Sequence, residues 1–410
     1  MLNLSDLKGL PFAGKPDGVP SHMAEALTLV RDGRLQEATD LLMSHNSRPA
    51  PVAGTAPAQM QPPMSARAPH RAAQGLARVQ ALLGKLDVSG AKVSLTPLAA
   101  SAAQTADERP AEPSARRASD PGRFERVAFT HQGASHPYFL YTPNTAAPPG
   151  GRPLVLMLHG CTQNAQDFAR GTQMNATAEA AGALVLYPTQ SQSANPNSCW
   201  NWFRPEDQRA GTGEPALLLA MLRHAMEAQA VDASRVFVAG LSAGGAMAAV
   251  MAQQYPDVFA AVGVHSGLPP GAATNMMGAL SAMKSGAKGW RAKPAKGDAR
   301  AVPLIVLHGD ADKTVHHRNA EQLLQGAAAG IATTVQTPEQ GVSSDGQRYT
   351  RTCVVDPAAP EEVLAEHWLL HGAGHAWSGG DARGSHASAR GVDASAEMLR
   401  FFLANPGKRQ

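Results

Sequence analysis

The stretch Arg235-Val236-Phe237-Val238-Ala239-Gly240-Leu241-Ser242-Ala243-Gly244-Gly245-Ala246-Met247-Ala248-Ala249-Val250-Met251-Ala252 decides how the rest of the chain is read. Its first five residues form an apolar, β-prone run. Its last eight are Ala- and Met-rich and favour a helix. Between them lies Gly240-Leu241-Ser242-Ala243-Gly244, so the order is strand, sharp turn, helix, with a serine at the apex. A serine there is held in a strained backbone conformation that projects its hydroxyl above the sheet edge. A Cβ in place of either flanking glycine would clash as strand and helix close on each other. The helix start behind Ser242 offers unpaired N–H groups and a positive dipole end to a developing oxyanion. Ser242 is therefore the candidate nucleophile.

A nucleophilic serine needs a base, and the base needs an orienting carboxylate. On sheets of this kind they follow in the chain order serine, acid, histidine. Leu304-Ile305-Val306-Leu307 reads as a buried strand, and His308-Gly309-Asp310-Ala311-Asp312 as the loop after it. Asp312 lies further into that loop and is the expected orienter; Asp310, nearer the strand end, is the alternative and suits a turn-shaping role. Glu366-His367-Trp368-Leu369-Leu370 reads as a last strand, followed by His371-Gly372-Ala373-Gly374-His375-Ala376-Trp377. The glycines let this loop fold back and deliver His375 as general base, with His371 as the alternative. His367 reads as a strand residue and His386 as a surface-loop residue.

Another buried run, Leu154-Val155-Leu156-Met157-Leu158, ends in His159-Gly160-Cys161-Thr162-Gln163. An oxyanion hole needs one N–H from the residue after the nucleophile, here Ala243, and one from a loop such as this. Cys161 is the expected second donor and Thr162 the alternative. His159 reads as a loop anchor.

Four motifs stand in order: Leu158-His159-Gly160-Cys161-Thr162-Gln163, Cys199-Trp200-Asn201-Trp202-Phe203, Gly240-Leu241-Ser242-Ala243-Gly244-Gly245 and Gly374-His375-Ala376-Trp377. Together they resemble the poly(3-hydroxybutyrate) depolymerase-type esterases, relatives of feruloyl and acetylxylan esterases, over roughly residues 122–405. The resemblance implies an α/β-hydrolase fold, a Ser-Asp-His triad and hydrolysis of carboxylic esters, with the ester itself left open. It also implies a Cys161–Cys199 disulfide, formed in an oxidising compartment and left as two thiols in a reducing one. The third cysteine, Cys353, lies in a strand-like run.

Composition narrows the function classes. A net charge of +3 over 410 residues gives no basic surface suited to nucleic acid. No Cys/His cluster has zinc spacing and no glycine loop with a following lysine could cradle phosphate, so no metal and no cofactor is expected. No run reaches the ~18 apolar residues of a membrane span. The first residues lack a basic head and an apolar core of about 7–15 residues, which points to a cytoplasmic protein; the resembled family includes secreted members, so secretion is the alternative.

Three regions follow from the patterning. Residues 1–45 are expected to hold a helical hairpin, with apolar positions at helical spacing on either side of Asp32-Gly33. Residues 46–121 form a Pro/Ala-rich linker, largely disordered by composition. Residues 122–405 alternate strands and helices, the mark of a mostly parallel sheet covered on both faces. Trp200, Trp202 and Trp377 lie near the catalytic loops and are expected to form a flat-faced substrate cleft for short hydroxyalkanoate polymer or oligomers, or for a ferulate ring. A third reading, of another class, is a hydrolase-fold binding protein recruited through the hairpin; the intact Ser, Asp and His weigh against it.

Overall fold

The computed structural model describes residues 122–292, 301–330 and 332–407, all within one unit, Arg109–Gln410. The expected hairpin of residues 1–45 and linker of 46–121 lie outside the described residues.

The unit opens with β1 (Arg123–Val127), the small hairpin β2 (Thr130–His131) and β3 (Ala134–Ser135), then β4 (Tyr138–Thr142) and β5 (Arg152–Leu158). Helices α1 (Ala165–Thr172) and α2 (Met174–Ala181) lead to β6 (Leu184–Pro188), then α3 (Gly213–Ala228), β7 (Val231–Leu241), α4 (Ala243–Gln254) and β8 (Ala261–His265). Next come α5 (Met276–Ser285), β9 (Leu304–Gly309) and α6 (Arg318–Ala327). The short strands β10 (Thr334–Val335) and β11 (Glu339–Val342) precede a long hairpin of β12 (Arg348–Asp356) and β13 (Ala359–Leu370), and α7 (Ala394–Ala404) closes the unit.

The main sheet runs β1-β4-β6-β5-β7-β8-β9-β13-β12-β10, with β11 also on β12. Its centre, β6 through β13, is parallel, and both margins are antiparallel. Parallel strands are covered on both faces, which is why they read as unbroken apolar runs. Leu154, Leu156, Val236, Val238, Leu304 and Val306 face one core, shared with Leu222 of α3, Met247 of α4 and Leu323 of α6. Val155, Met157, Phe237, Ile305 and Leu307 face the other, against Phe168 of α1, Met174 of α2 and Phe402 of α7. These side chains are fully or nearly fully buried, each worth about 1.5–3 kcal/mol in transfer from water.

The helical stretch 165–181 breaks at Gln173, which adopts φ 56° and ends α1 while opening α2. Within residues 267–292 lies α5, tied to the loop after β9 by the His316 N–H on Met283 O (2.8 Å). Among the described residues no helix is long and apolar enough to cross a membrane.

Candidate active site

The parallel strands β5, β7, β9 and β13 end on the same edge of the sheet, and each end carries one of the expected groups. In open α/β sheets this edge is where function collects. Ser242 sits between β7 and α4 at φ 57°, ψ −119°. That left-handed conformation is costly for a residue with a Cβ. It is enforced from both sides: the Ser242 N–H donates to His265 O (2.9 Å), and Ala246 N donates to Ser242 O (2.9 Å). A Cβ on Gly244 would lie 2.0 Å from Leu158 O, so only glycine lets the first turn of α4 close on the end of β5.

In the loop after β9, the next strand but one, Asp312 is buried and fully engaged. Its Oδ1 accepts the Thr314 and Val315 N–H groups (both 2.8 Å), and its Oδ2 accepts from His375 Nδ1 at 2.6 Å. His308 Nε2, which donates to Val315 O (2.7 Å), lies 3.5 Å from the same Oδ2. Burial alone would raise the Asp312 carboxyl, but the hydrogen bonds from His308 and His375 and the nearby imidazole outweigh it and hold it well below the usual carboxylate range. With Nδ1–H committed to Asp312, His375 keeps Nε2 as its open nitrogen. No hydrogen bond joins Ser242 Oγ to His375 among the described residues; such contacts commonly tighten only with substrate bound.

Asp310 and His371 form a separate couple. His371 Nδ1 donates to Asp310 Oδ2 (2.8 Å), Gly372 N donates to Asp310 Oδ1 (2.7 Å), and His371 Nε2 lies 2.9 Å from Thr350 Oγ1. This couple braces the base of the loop that carries His375.

The loop after β5 lies against the serine: a Cβ on Gly160 would be 3.6 Å from Ser242 Cβ. Ala243 is the first residue of α4, so its N–H has no partner within the helix. His159 is buried, with Nδ1–H on Gly160 O (2.7 Å) and Nε2 accepting from Gln190 N (3.1 Å). Burial pushes its imidazole down to about 4, so it stays a neutral anchor. Cys161 and Cys199 are joined by a disulfide, with Cα atoms 4.2 Å apart. Beside it Thr162 N donates to Asn197 O (2.7 Å) and Trp200 Nε1 to His159 O (3.1 Å).

The expected aromatic cleft is corrected. Trp200, Trp202 and Trp377 are only 1%, 6% and 1% exposed. Trp377 stacks on His265 (centroids 5.3 Å), meets Phe168 edge-on and donates to Ser395 Oγ (3.2 Å). Trp202 packs edge-on against Phe203 at 5.7 Å. Large apolar rings gain more by fastening these loops to the core than by facing water.

Several residues that shape the site carry no local signal in the sequence. Glu214, at the start of α3, accepts from Asn201 N (2.7 Å), Asn201 Nδ2 (2.6 Å) and Gln190 Nε2. It thereby anchors the loop that bears Cys199 and Trp200. Burial, with Asp207 nearby, pushes its carboxyl up to about 7. His265, under the site, takes the Ser378 N–H on Nε2 (3.1 Å), and burial drives it down to about 3. Among the described residues no group of three or more His, Cys, Asp or Glu side chains is placed to hold a metal ion.

Residues 136–330 match the protein family described as "Esterase PHB depolymerase". The chain is 36% identical over 237 residues to "Poly(3-hydroxyalkanoate) depolymerase C" of Paucimonas lemoignei, covering 55% of each chain. It is 29% identical over 208 residues to "Feruloyl esterase B" of Thermothelomyces thermophilus, covering 47% of this chain and 70% of that one. The chain spans about half the length of the first of these relatives. An acetyl xylan esterase from Aspergillus awamori superposes with TM-score 0.50 at 20% identity, over 69% of this chain and 100% of that one, which shows the shared α/β-hydrolase fold. Residues 136–330 are thus similar to the Esterase PHB depolymerase family, the one the four motifs resemble.

Proposed function

We propose that the chain is a serine carboxylic-ester hydrolase acting through an acyl-enzyme on short-chain poly(3-hydroxyalkanoate) polymer or oligomers. The observation that carries this reading is the Asp312–His375 hydrogen bond (2.6 Å) on the same sheet edge as a strained Ser242. In this reading His375 Nε2 takes the Ser242 proton as Oγ attacks the ester carbonyl. The Ala243 and Cys161 N–H groups hold the tetrahedral oxyanion. His375 then protonates the leaving alcohol, and a water molecule repeats the sequence on the acyl-enzyme. Asp312 fixes the imidazole tautomer and stabilises its charged form.

The polyester substrate rests on the family match and on the names of the relatives at 36% identity. A carbohydrate-ester reading draws on the coverage of 70% of a feruloyl esterase. The catalytic unit is residues 122–405. The Cys161–Cys199 disulfide supports the secreted alternative over a cytoplasmic location, because such bonds persist in oxidising compartments. Side-by-side hydrolysis of 3-hydroxybutyrate trimer, amorphous polyhydroxybutyrate and methyl ferulate tests the substrate. Release of 3-hydroxybutyrate with ferulate untouched is expected; the reverse outcome replaces the polyester with a cell-wall ester.

A further inference from the structure

Among the described residues, the non-glycine residues at positive φ include Thr162, Ser198, Ser242, Ser266 and His386, all on loops around the active edge. Strain of this kind persists where the surroundings over-determine it, and it gathers at functional sites. Ser242 has its reason in the nucleophile turn. His386, at φ 51°, takes no part in that turn.

The backbone around His386 is fastened on three sides. Gln163 Nε2, from the loop after β5, donates to Ser385 O (2.7 Å). Ser385 N donates to Asp167 Oδ1 of α1 (3.0 Å). The Trp377 N–H donates to His386 O, and Ser388 N to Trp377 O (both 2.8 Å). None of these bonds uses the imidazole. The ring is exposed, with its centroid 6.5 Å from that of His375, and Nε2 is 3.4 Å from Thr162 Oγ1. That contact is at the long limit of a hydrogen bond, and the Thr162 hydroxyl already donates to Cys161 O (2.6 Å). An exposed imidazole thus stands on a fastened backbone, held at a conformational cost, between the histidine loop and the loop after β5, with its nitrogens hardly committed.

The general acid must reach the departing oxygen, so the leaving group lies against His375. We infer that His386 is a specificity-determining residue that donates a hydrogen bond to a carbonyl or carboxylate oxygen on the leaving group. This rests on the esterase reading and narrows it. The favoured alcohol carries its acyl oxygen on the third carbon from the ester oxygen, as the 3-hydroxyacyl unit of a polyester does and a simple alkyl or aryl alcohol does not.

The test compares wild type, His386→Ala and His386→Asn on 3-hydroxybutyrate trimer and on p-nitrophenyl butyrate. Asparagine tolerates the left-handed conformation and keeps a donor. The expected result for His386→Ala is a fall in kcat/KM of about tenfold or more on the trimer, the scale of one hydrogen bond to a charged oxygen, and a change within about twofold on the aryl ester. His386→Asn should recover part of the trimer activity. Equal losses on both substrates would assign His386 to the support of His375 and overturn the inference, as would no loss on either. Wild type that cleaves only the aryl ester would overturn the polyester reading as well, so the two failures are separable.

Discussion

The Cys161–Cys199 disulfide offers a prediction whose size can be worked from the chain. It closes a loop of sequence separation 38 between the oxyanion loop and the Trp200 loop. By loop-closure entropy, that constraint on the unfolded chain is worth about 4 kcal/mol. Spread over a unit of this size it corresponds to a melting shift of roughly 10 °C. Two hydrogen bonds, Thr162 N to Asn197 O and Trp200 Nε1 to His159 O, still join the loops once the disulfide is gone. The fold should therefore survive reduction while the position of Cys161 loosens. Losing one oxyanion donor outright costs roughly 3 kcal/mol, so kcat should fall by up to about a hundredfold. The assay is thermal unfolding by circular dichroism with and without dithiothreitol, for wild type and for Cys161→Ser/Cys199→Ser. Reductant should lower the wild-type midpoint by roughly 10 °C and leave the double variant unchanged. Equal wild-type midpoints in both conditions would refute the reasoning.

Three further outcomes follow from the ionisable groups. Asp312→Asn should keep the acceptors for Thr314 and Val315 but turn an amide towards His375, reversing its tautomer; kcat should fall about 10⁴-fold at unchanged folding, measured with any short acyl ester. Because the Asp312 carboxyl is depressed, its contribution to stability is complete above the unfolded value near pH 4 and is lost on further acidification; acid titration of the melting point should be shallower in the Asn variant. Glu214 has the opposite sign: raised to about 7, it favours the folded state below its unfolded value, and that advantage is lost as pH rises through 7. Wild type should lose stability relative to Glu214→Gln between about pH 5 and pH 8, and a constant offset between the two would contradict the assignment.

The sequence exposed the parts that burial makes monotonous. Strands β5, β7 and β9 are covered on both faces, so Leu154–Leu158, Val236–Ala239 and Leu304–Leu307 read as strands without help from tertiary structure. The serine turn is local and its glycines are compulsory. The choice between Asp310 and Asp312, and between His371 and His375, was not local. The two acids are two residues apart, each meets one of the two histidines, and only the path of the Gly372–Gly374 loop separates the couples.

Buried polar residues were the least legible. Glu366 carries a charge in a strand, yet it is fully buried, bonded to Trp368 Nε1 (2.7 Å) and Arg351 (2.9 Å) and paired with Arg400. Glu214 is an acid in the first turn of a helix, yet it holds a loop thirteen residues upstream. The tryptophans misled in the other direction. Their place beside the catalytic motifs suggested contact with substrate, whereas their size makes them the fasteners of those loops.

Hydrolysis of 3-hydroxybutyrate trimer by wild type and by Ser242→Ala tests the central claim most directly. Wild type should release 3-hydroxybutyrate. The variant, with an unchanged melting point, should lose at least about 10⁴-fold in kcat, the scale of removing a triad nucleophile. A folded Ser242→Ala protein that still cleaves the trimer at a comparable rate would contradict the account.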